Sequence, residues 1–405
     1  MIRIRCRCGE VFHAEEQHVG RVLHCRCGRE IPVRMPPPRP EPPAAPRSAA
    51  WEGRLRRLGE RASAGLAGAF RAPAGPLGWL VWAAWGYLAA VVLLWAVLWT
   101  LGDRWWPATV YLFGPRWVVL LPLVLLVPAA AVFRRALLLP LLAAALVMVF
   151  PVMGMRTGWR SWGAAEPTGQ TLRVVSANLA GDPWAAERLI GLVGEWRADV
   201  VAAQECSEKV AEAFGRVPGW EHRRDGQLCL FSRHPVRAVE VMDRSRFEGV
   251  REAGIGGTSA AARYTIEVAG RPVELVNVHL ETPRRGLSGL FRNDAGRMGP
   301  NTLSRQIESN QVARWAAQRG AQIVAGDFNM PVESRIYRES WGGYRNAFSH
   351  AGRGLGFTRD NGWIRVRIDH VLAGPGWRVD LAFVGPDVGS DHWPVVADLT
   401  WTGGR

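Results

Sequence analysis

Three uncharged apolar runs occupy the middle of the chain, and apolar strands alternating with amphipathic helices fill its second half. The stretch LGWLVWAAWGYLAAVVLLWAVLWTL, Leu77 to Leu101, carries no charge and exceeds the roughly 20 residues a helix needs to span a bilayer. WVVLLPLVLLVPAAAVF, Trp117 to Phe133, is shorter and contains Pro122 and Pro128; with VYLFGPR ahead of it, it reads as a second span. ALLLPLLAAALVMVFPVMG, Ala136 to Gly154, is the third, and only Arg134 and Arg135 separate it from the second, which predicts a tight hairpin. Trp105, Trp106, Trp117, Trp159 and Trp162 fall near span ends, as interfacial aromatics do. A buried helical bundle in a soluble protein is the competing reading of the same runs.

From about Thr171 to Thr400 the period changes. TLRVVSANLA reads as a strand, PWAAERLIGLVGEW as a helix, DVVAAQEC as a strand, SEKVAEAFGRV as a helix and GQLCLFSRHPV as a strand. ARYTIEVAGRPVELVNVHLE predicts a hairpin turning at Ala269-Gly270. SRQIESNQVARWAAQRG has helical spacing at Ile307, Val312 and Trp315 and stops at Gly320. IVAGDFN, VRIDHVLAG and DHWPVVADLT complete the strands. This order predicts an α/β or α+β layered fold.

The chain therefore divides into a cysteine-bearing segment (1–33), a Pro-rich linker (34–50), a basic juxtamembrane segment (51–76), three spans (77–154), a second linker (155–170) and a C-terminal domain (171–402). In the first segment two Cys-x-Cys-Gly knuckles resemble a small zinc ribbon, with Cys6, Cys8, Cys25 and Cys27 as candidate ligands of a structural Zn²⁺. Each knuckle has one residue between its cysteines rather than the usual two, and His13 and His24 are possible substitutes. Reduced thiols in a degenerate remnant are the alternative. MIRIRCRCGE has no apolar core of a secretory signal.

Net charge is +14, almost all of it from arginine. The domain from Gly169 onward holds 30 basic and 27 acidic residues, whereas the first 168 residues hold 20 and 9. The excess therefore lies outside the C-terminal domain, which argues against a non-specific nucleic-acid footprint there. The basic segment 51–76 suits an anionic lipid surface, with a merely solvated helix as the alternative. Arginines crowd the approach to the first span and the turn Arg134-Arg135, while Arg104 and Arg116 alone lie between the first two spans. That bias predicts a cytoplasmic N-terminus and a C-terminal domain outside, as in a bacterial inner or plasma membrane protein; Arg156 and Arg160 oppose it.

Polar residues recur at the strand ends: Asn178, Glu205, Asn277 and His279, Asp327 and Asn329, Asp369 and His370, Asp391 and His392. Any one of these is ordinary turn chemistry. Acid, amide and imidazole groups ending successive strands instead converge on a crevice, where α/β folds place their sites. The ordered motifs SANL, QE, NVHLE, GDFN, RIDHVL and SDHWPV resemble the endonuclease/exonuclease/phosphatase family, the DNase I-like superfamily, in a membrane-bound bacterial layout.

That resemblance implies a four-layer sandwich of two mostly antiparallel sheets with outer helices. It implies hydrolysis of a phosphodiester or phosphomonoester with Mg²⁺ or Mn²⁺. Carried over, Glu205 is the main metal ligand with Asn178 and Asp391 nearby, and Asn277 contacts substrate. His279 contacts the phosphate or leaving group, Asp327 orients or deprotonates the attacking water, and Asn329 is its phosphate-side partner. His392 is a second histidine oriented by Asp369, and His370 faces away by strand alternation.

The implied partners are membrane lipids, a phosphate-ester substrate of lipid or nucleic-acid type, and a cytoplasmic partner of the ribbon. A different class of function also fits, a non-catalytic membrane scaffold that binds phosphorylated ligands. Residues Arg284 to Arg305 read as a Gly- and Arg-rich loop at the substrate mouth, and Cys206 and Cys229 as two buried thiols, with a disulfide as the alternative if the domain is exported.

Overall fold

Strand periodicity of two builds this fold, because each central strand sends alternate side chains into two different hydrophobic layers. The computed structural model describes residues 2–34, 77–159, 169–243, 259–292, 294–362 and 364–403. The Pro-rich linker, the basic juxtamembrane segment and most of the linker after the third span lie outside the described residues. Two units divide the chain, Met1–Gly68 and Ala69–Arg405.

In the first unit β1 (Ile2–Arg5) pairs antiparallel with β2 (Val11–Ala14), and β3 (Val22–His24) with β4 (Glu30–Pro32). Each Cys-x-Cys-Gly segment turns one hairpin. The Gly9 amide donates to the Cys6 carbonyl at 3.0 Å, and the Gly28 amide to that of Cys25 at 2.8 Å.

The second unit opens with α1 (Gly78–Thr100), α2 (Trp106–Phe113), α3 (Arg116–Phe133) and α4 (Arg135–Val152). The first, third and fourth are long and apolar enough to cross a membrane. Leu93, Val124, Leu125 and Val132 leave these helices bare and exposed, as side chains facing hydrocarbon would be. The turn at Arg134-Arg135 is as tight as expected. The segment VYLFGPR does not extend the next span. It ends α2, because Gly114 is extended and Pro115 has no amide to continue a helix.

The domain proper runs β5 (Thr171–Asn178), α5 (Pro183–Glu195), β6 (Val200–Gln204), α6 (Glu208–Gly215), β7 (Glu221–Asp225), β8 (Leu228–Ser232) and β9 (Val236–Asp243). It continues with β10 (Ser259–Val268), β11 (Arg271–His279), α7 (Arg284–Phe291), α8 (Met298–Gln318), β12 (Ile323–Asp327) and α9 (Arg335–Trp341). It closes with β13 (Arg345–Asn346), α10 (Ala347–Ala351), β14 (Arg359–Asn361), β15 (Ile364–Val366), β16 (Asp369–Ala373), β17 (Trp377–Val384) and β18 (Val395–Trp401).

Two six-stranded sheets result, ordered β17-β18-β5-β6-β8-β7 and β9-β10-β11-β12-β16-β13. The pairs β5–β6 and β11–β12 are parallel, and the remaining pairs in these sheets are antiparallel. Val174, Ala202, Leu275 and Ile323 meet between the sheets. Val175, Val201 and Ala203 turn the other way onto Leu189 and Phe214 of α5 and α6. Val276 and Val324 turn onto Val312 and Trp341 of α8 and α9. Helix, sheet, sheet, helix is the expected four-layer sandwich.

The expected loop at 284–305 is mostly helical. Its glycines serve close packing, not freedom: a Cβ on Gly286 would lie 2.9 Å from both Met298 Sδ and Asn301 Oδ1. Gly326 is a close approach of another kind. Its φ is +152°, and a Cβ there would lie 2.0 Å from the Val278 carbonyl oxygen on the paired strand. Gly326→Ala should therefore destabilise the domain by at least about 2 kcal/mol and lower its melting midpoint by roughly 4–8 °C, read by thermal unfolding.

The domain and the long apolar helices share polar contacts. Asp103, between α1 and α2, accepts from Ser334 Oγ at 2.7 Å and from the Arg335 amide at 3.0 Å, so it caps α9 from another part of the chain. Arg116, at the start of α3, donates to the Val152 carbonyl at 2.9 Å and to Glu333 at 3.0 Å.

Candidate active site

The two parallel strand pairs end side by side, and their registers deliver the candidate residues together. His279 pairs with Asp327, Asp327 pairs with Asp369 across the next strand, and Asn178 pairs with Gln204 in the other sheet. A buried polar chain crosses between the sheets at this edge. Asn178 Nδ2 donates to Glu205 Oε1 at 3.0 Å and to Asp327 Oδ2 at 3.1 Å. His279 Nε2 lies 3.8 Å from each of the same two oxygens. His392 Nε2 lies 3.8 Å from Asp327 Oδ2, and its Nδ1 donates to Asp369 Oδ2 at 2.9 Å. Glu205, His279, Asp327, Asn329 and His392 line one open cleft of about 270 Å³.

Backbone conformation singles out two of these positions. Glu205 has φ +47° and Asn329 φ +50°, left-handed values that cost a non-glycine residue energy and cluster at functional sites. At Asn329 the turn is held by its own amide, which donates to Asp327 Oδ1 at 2.8 Å, and by its side chain, which donates to the Leu280 carbonyl at 2.9 Å. This is an Asx turn, and it fixes the carboxylate it closes on.

Burial sets the electrostatics. Asp327 is 1% exposed, and burial together with the neighbouring Asp369 pushes its carboxyl up to about 7. Burial lowers His392, but the Asp369 and Asp327 carboxylates outweigh it and hold the imidazole up at about 9. A carboxyl near neutrality beside a charged imidazole has the chemistry to pass a proton.

His370 faces away, as strand alternation requires. Its ring sits against Phe328 and Tyr337, and Nε2 donates to the Met330 carbonyl at 2.9 Å. Burial pushes this imidazole down to about 3, so it is neutral in the folded chain. The unfolded chain takes up a proton near pH 6.5 that the folded one refuses until about 3, so stability is full above 6.5 and falls with pH between those limits. Lowering pH from 7 to 5 should cost about 2 kcal/mol through His370. A His370→Gln variant, which keeps the donor, should show a correspondingly flatter dependence of melting midpoint on pH.

Two expected positions sit differently. Asn277 is fully buried beneath the cleft: Nδ2 donates to the Ala203 and Cys229 carbonyls at 2.9 and 3.0 Å, and Oδ1 accepts from Gln204 at 2.7 Å. It ties the sheets together and is two residues too deep to meet substrate. Asp391 is half-exposed and forms an ion pair with Arg359, with Arg284 3.8 Å away. Arg359 is the residue the motifs missed. It lies on the β14–β15 hairpin, and its guanidinium reaches both Asp391 and His392 Nε2. The Asn361-Gly362 turn dipeptide was the available signal for that hairpin.

Cys206 and Cys229 form a disulfide, not two thiols, because β6 and β8 are neighbours and bring their Cα atoms to 5.9 Å. Cys206 faces the helix layer, as its place after Glu205 implies. In the first unit the Sγ atoms of Cys6, Cys8, Cys25 and Cys27 all lie within 4.8 Å of one another. Cys6–Cys27 is 3.7 Å and Cys8–Cys25 is 3.3 Å. A tetrahedral zinc with Zn–S near 2.3 Å needs edges of about 3.8 Å, so the thiols are gathered to nearly that size.

Fold and cleft together define a phosphoric ester hydrolase. The chain belongs to the endonuclease/exonuclease/phosphatase family, whose model matches residues 175–392. The comparison with curated proteins yields no match. Among solved structures, the chain is similar to D. rerio TDP2 complexed with single-strand DNA product, at 17% identity and TM-score 0.43, covering 57% of this chain and 99% of that one. It is similar to an endonuclease/exonuclease/phosphatase family protein from Bacteroides thetaiotaomicron, at 17% and 0.42, covering 58% and 97%. It is also similar to the 3'-5' exonuclease NExo from Neisseria meningitidis, at 17% and 0.43, covering 57% and 100%.

Proposed function

We propose that this protein is a membrane-anchored, divalent-metal-dependent phosphoesterase that cleaves a phosphodiester or phosphomonoester by attack of water. The observation that carries the reading is the line Asp369–His392–Asp327, with His279 and Glu205 beside it, in one open cleft. Asp327 accepts the proton of the attacking water, and Asn329 holds that carboxylate in place. His392, kept charged and oriented by Asp369, stabilises the phosphoryl oxygens or donates to the departing one; Arg359 adds positive charge on one side and His279 offers an imidazole to the phosphate on the other.

The hard carboxylate fits Mg²⁺ or Mn²⁺: Glu205 supplies it at the cleft, where its left-handed backbone holds it, and Asn178 orients it by donating from Nδ2, its own Oδ1 accepting from the Ala180 amide at 3.0 Å. When bound there, the cation offsets charge developing on the phosphate. Asp391, engaged by Arg359, positions that arginine in this reading.

Three further features support anchoring with the catalytic domain outside: the three apolar helices, the arginine bias before the first of them, and the Cys206–Cys229 disulfide, which belongs in an oxidising compartment. The four thiols of the first unit would hold a structural zinc in a reducing one, with a cytoplasmic partner as its use. Purified full-length protein should then carry about one zinc per chain, and Cys6→Ser with Cys25→Ser should remove it, measured by elemental analysis. Metal-free wild type would refute that assignment.

The catalytic reading is tested on the full chain in detergent. Hydrolysis of 4-nitrophenyl phosphodiesters should vanish in EDTA and return with Mg²⁺ or Mn²⁺, and Glu205→Gln should demand more metal for half-maximal rate. Turnover indifferent to EDTA would contradict it.

A further inference from the structure

The catalytic cleft does not end at the phosphate-facing residues. A second cavity of about 270 Å³ adjoins it and shares Arg284, Asn329 and Arg359 with it. Apart from Ser288 and the likewise shared Thr282, its other walls are apolar: Phe113, Pro283, Leu287, Ile364, Val366 and Ile368. Phe113 is the last residue of α2, the short helix between the first two spans, so this cavity joins the catalytic centre to the membrane part of the chain. Phe113, Val366 and Ile368 also belong to one hydrophobic cluster with Val91 and Leu98 of α1 and Val152 of α4.

The level of the cavity follows from the helix ends. The last turn of α1, the start of α3 and the end of α4 all meet the domain, through Arg338 over the Trp99 ring at 3.7 Å and through Arg116. Trp99, Trp105, Trp106 and Trp117 are exposed at this same end, and exposed tryptophans of spanning helices mark the headgroup level of a bilayer.

We infer that this cavity is the chain-binding subsite of a phospholipid substrate, with the phosphoester at His279, Asp327 and His392 and a hydrocarbon chain along Phe113, Leu287 and Ile364. The inference rests on the phosphoesterase reading and names its substrate class. One cleft with cationic and polar groups at one end and hydrocarbon at the other matches an amphiphile. Arg284 and Arg359 stand where the two ends join and match the anionic head group. Ile364 keeps 39% of its surface exposed, an apolar wall that a chain would cover. A nucleic acid has no hydrocarbon to place there, and the near-neutral domain offers it little general attraction.

The test uses full-length protein in lipid nanodiscs with 4-nitrophenyl dodecyl phosphate and 4-nitrophenyl ethyl phosphate. Each buried methylene is worth roughly fourfold, so wild type should favour the dodecyl ester by at least about tenfold in kcat/KM. Leu287→Asp, and independently Ile364→Asp at its more exposed site, should cut that preference at least about threefold; membrane partitioning of the ester is the same for both proteins and cannot produce the difference. A preference untouched in both folded variants, or faster cleavage of plasmid DNA than of the dodecyl ester, overturns the inference while leaving the phosphoesterase reading intact. If no phosphoester is cleaved, that reading fails, and photolabelling by a phospholipid with a diazirine in its acyl chain decides the subsite. Label on peptides holding Leu287 or Ile364 supports it, and label confined to residues 78–152 overturns it.

Discussion

Asp327→Asn should lower turnover by about two to four orders of magnitude while leaving the melting midpoint unchanged or raised. The two halves of this prediction share one cause. The carboxylate is buried and crowded by Asp369, so its ionised form is costly to hold, which is why its titration sits near 7. An asparagine of the same shape removes that cost and keeps its Oδ1 as acceptor for the Asn329 amide. The two bonds to Oδ2, from the Asn178 and Asn329 side chains, are lost, because amide N–H groups would then face each other. What the variant cannot do is take a proton. Thermal unfolding beside steady-state kinetics reads both halves. Retained turnover would remove Asp327 from the chemistry, and a collapsed midpoint would show that its charge is structural.

Asp103→Ala should unfold the domain more than any surface change, by about 3–5 kcal/mol, although Asp103 lies between the long apolar helices. Arg305 of α8 is entirely buried, with its Nη2 3.3 Å from Asp103 Oδ2, and its Nε and Nη1 have no hydrogen-bond partner among the described residues. Removing Asp103 leaves this cation nearly unpaired and uncaps α9 at Arg335 and Ile336. Glu281 also acts on Arg305 and lines the catalytic cleft, so the disturbance reaches the site. The midpoint of the full chain should fall by about 10 °C or more, and Arg305→Met in the same chain should restore much of it. Equal midpoints for wild type and Asp103→Ala would contradict this account. A fragment starting at Gly169 lacks Asp103 and should share the defect.

The strand-end residues were legible because a polar side chain closing an apolar strand breaks a two-residue pattern visible in one dimension. The same pattern misled at Asn277: it shares a face with His279, but depth along the strand decides whether that face is cleft or core. Arg359 and Asp103 left no such trace. One sits on a hairpin whose strands are three residues long, and the other between long apolar helices, and each acquires its role from a residue distant in sequence. Residues 284–305 misread as loop because glycine and arginine look solvated, whereas Gly286 is where α7 and α8 touch. The break at Gly114-Pro115 was hidden by the unbroken hydrophobicity around it, though Pro115 itself was the available sign.

Turnover of 4-nitrophenyl phosphodiesters by full-length wild type and by His392→Ala, each shown folded by its melting curve, tests the central claim most directly. A Mg²⁺-dependent rate that falls at least about a hundredfold in the variant is the expected result. Equal rates in the two proteins, or no rate in a folded, metal-loaded wild type on any phosphoester, would contradict the assignment of this cleft to phosphoester hydrolysis.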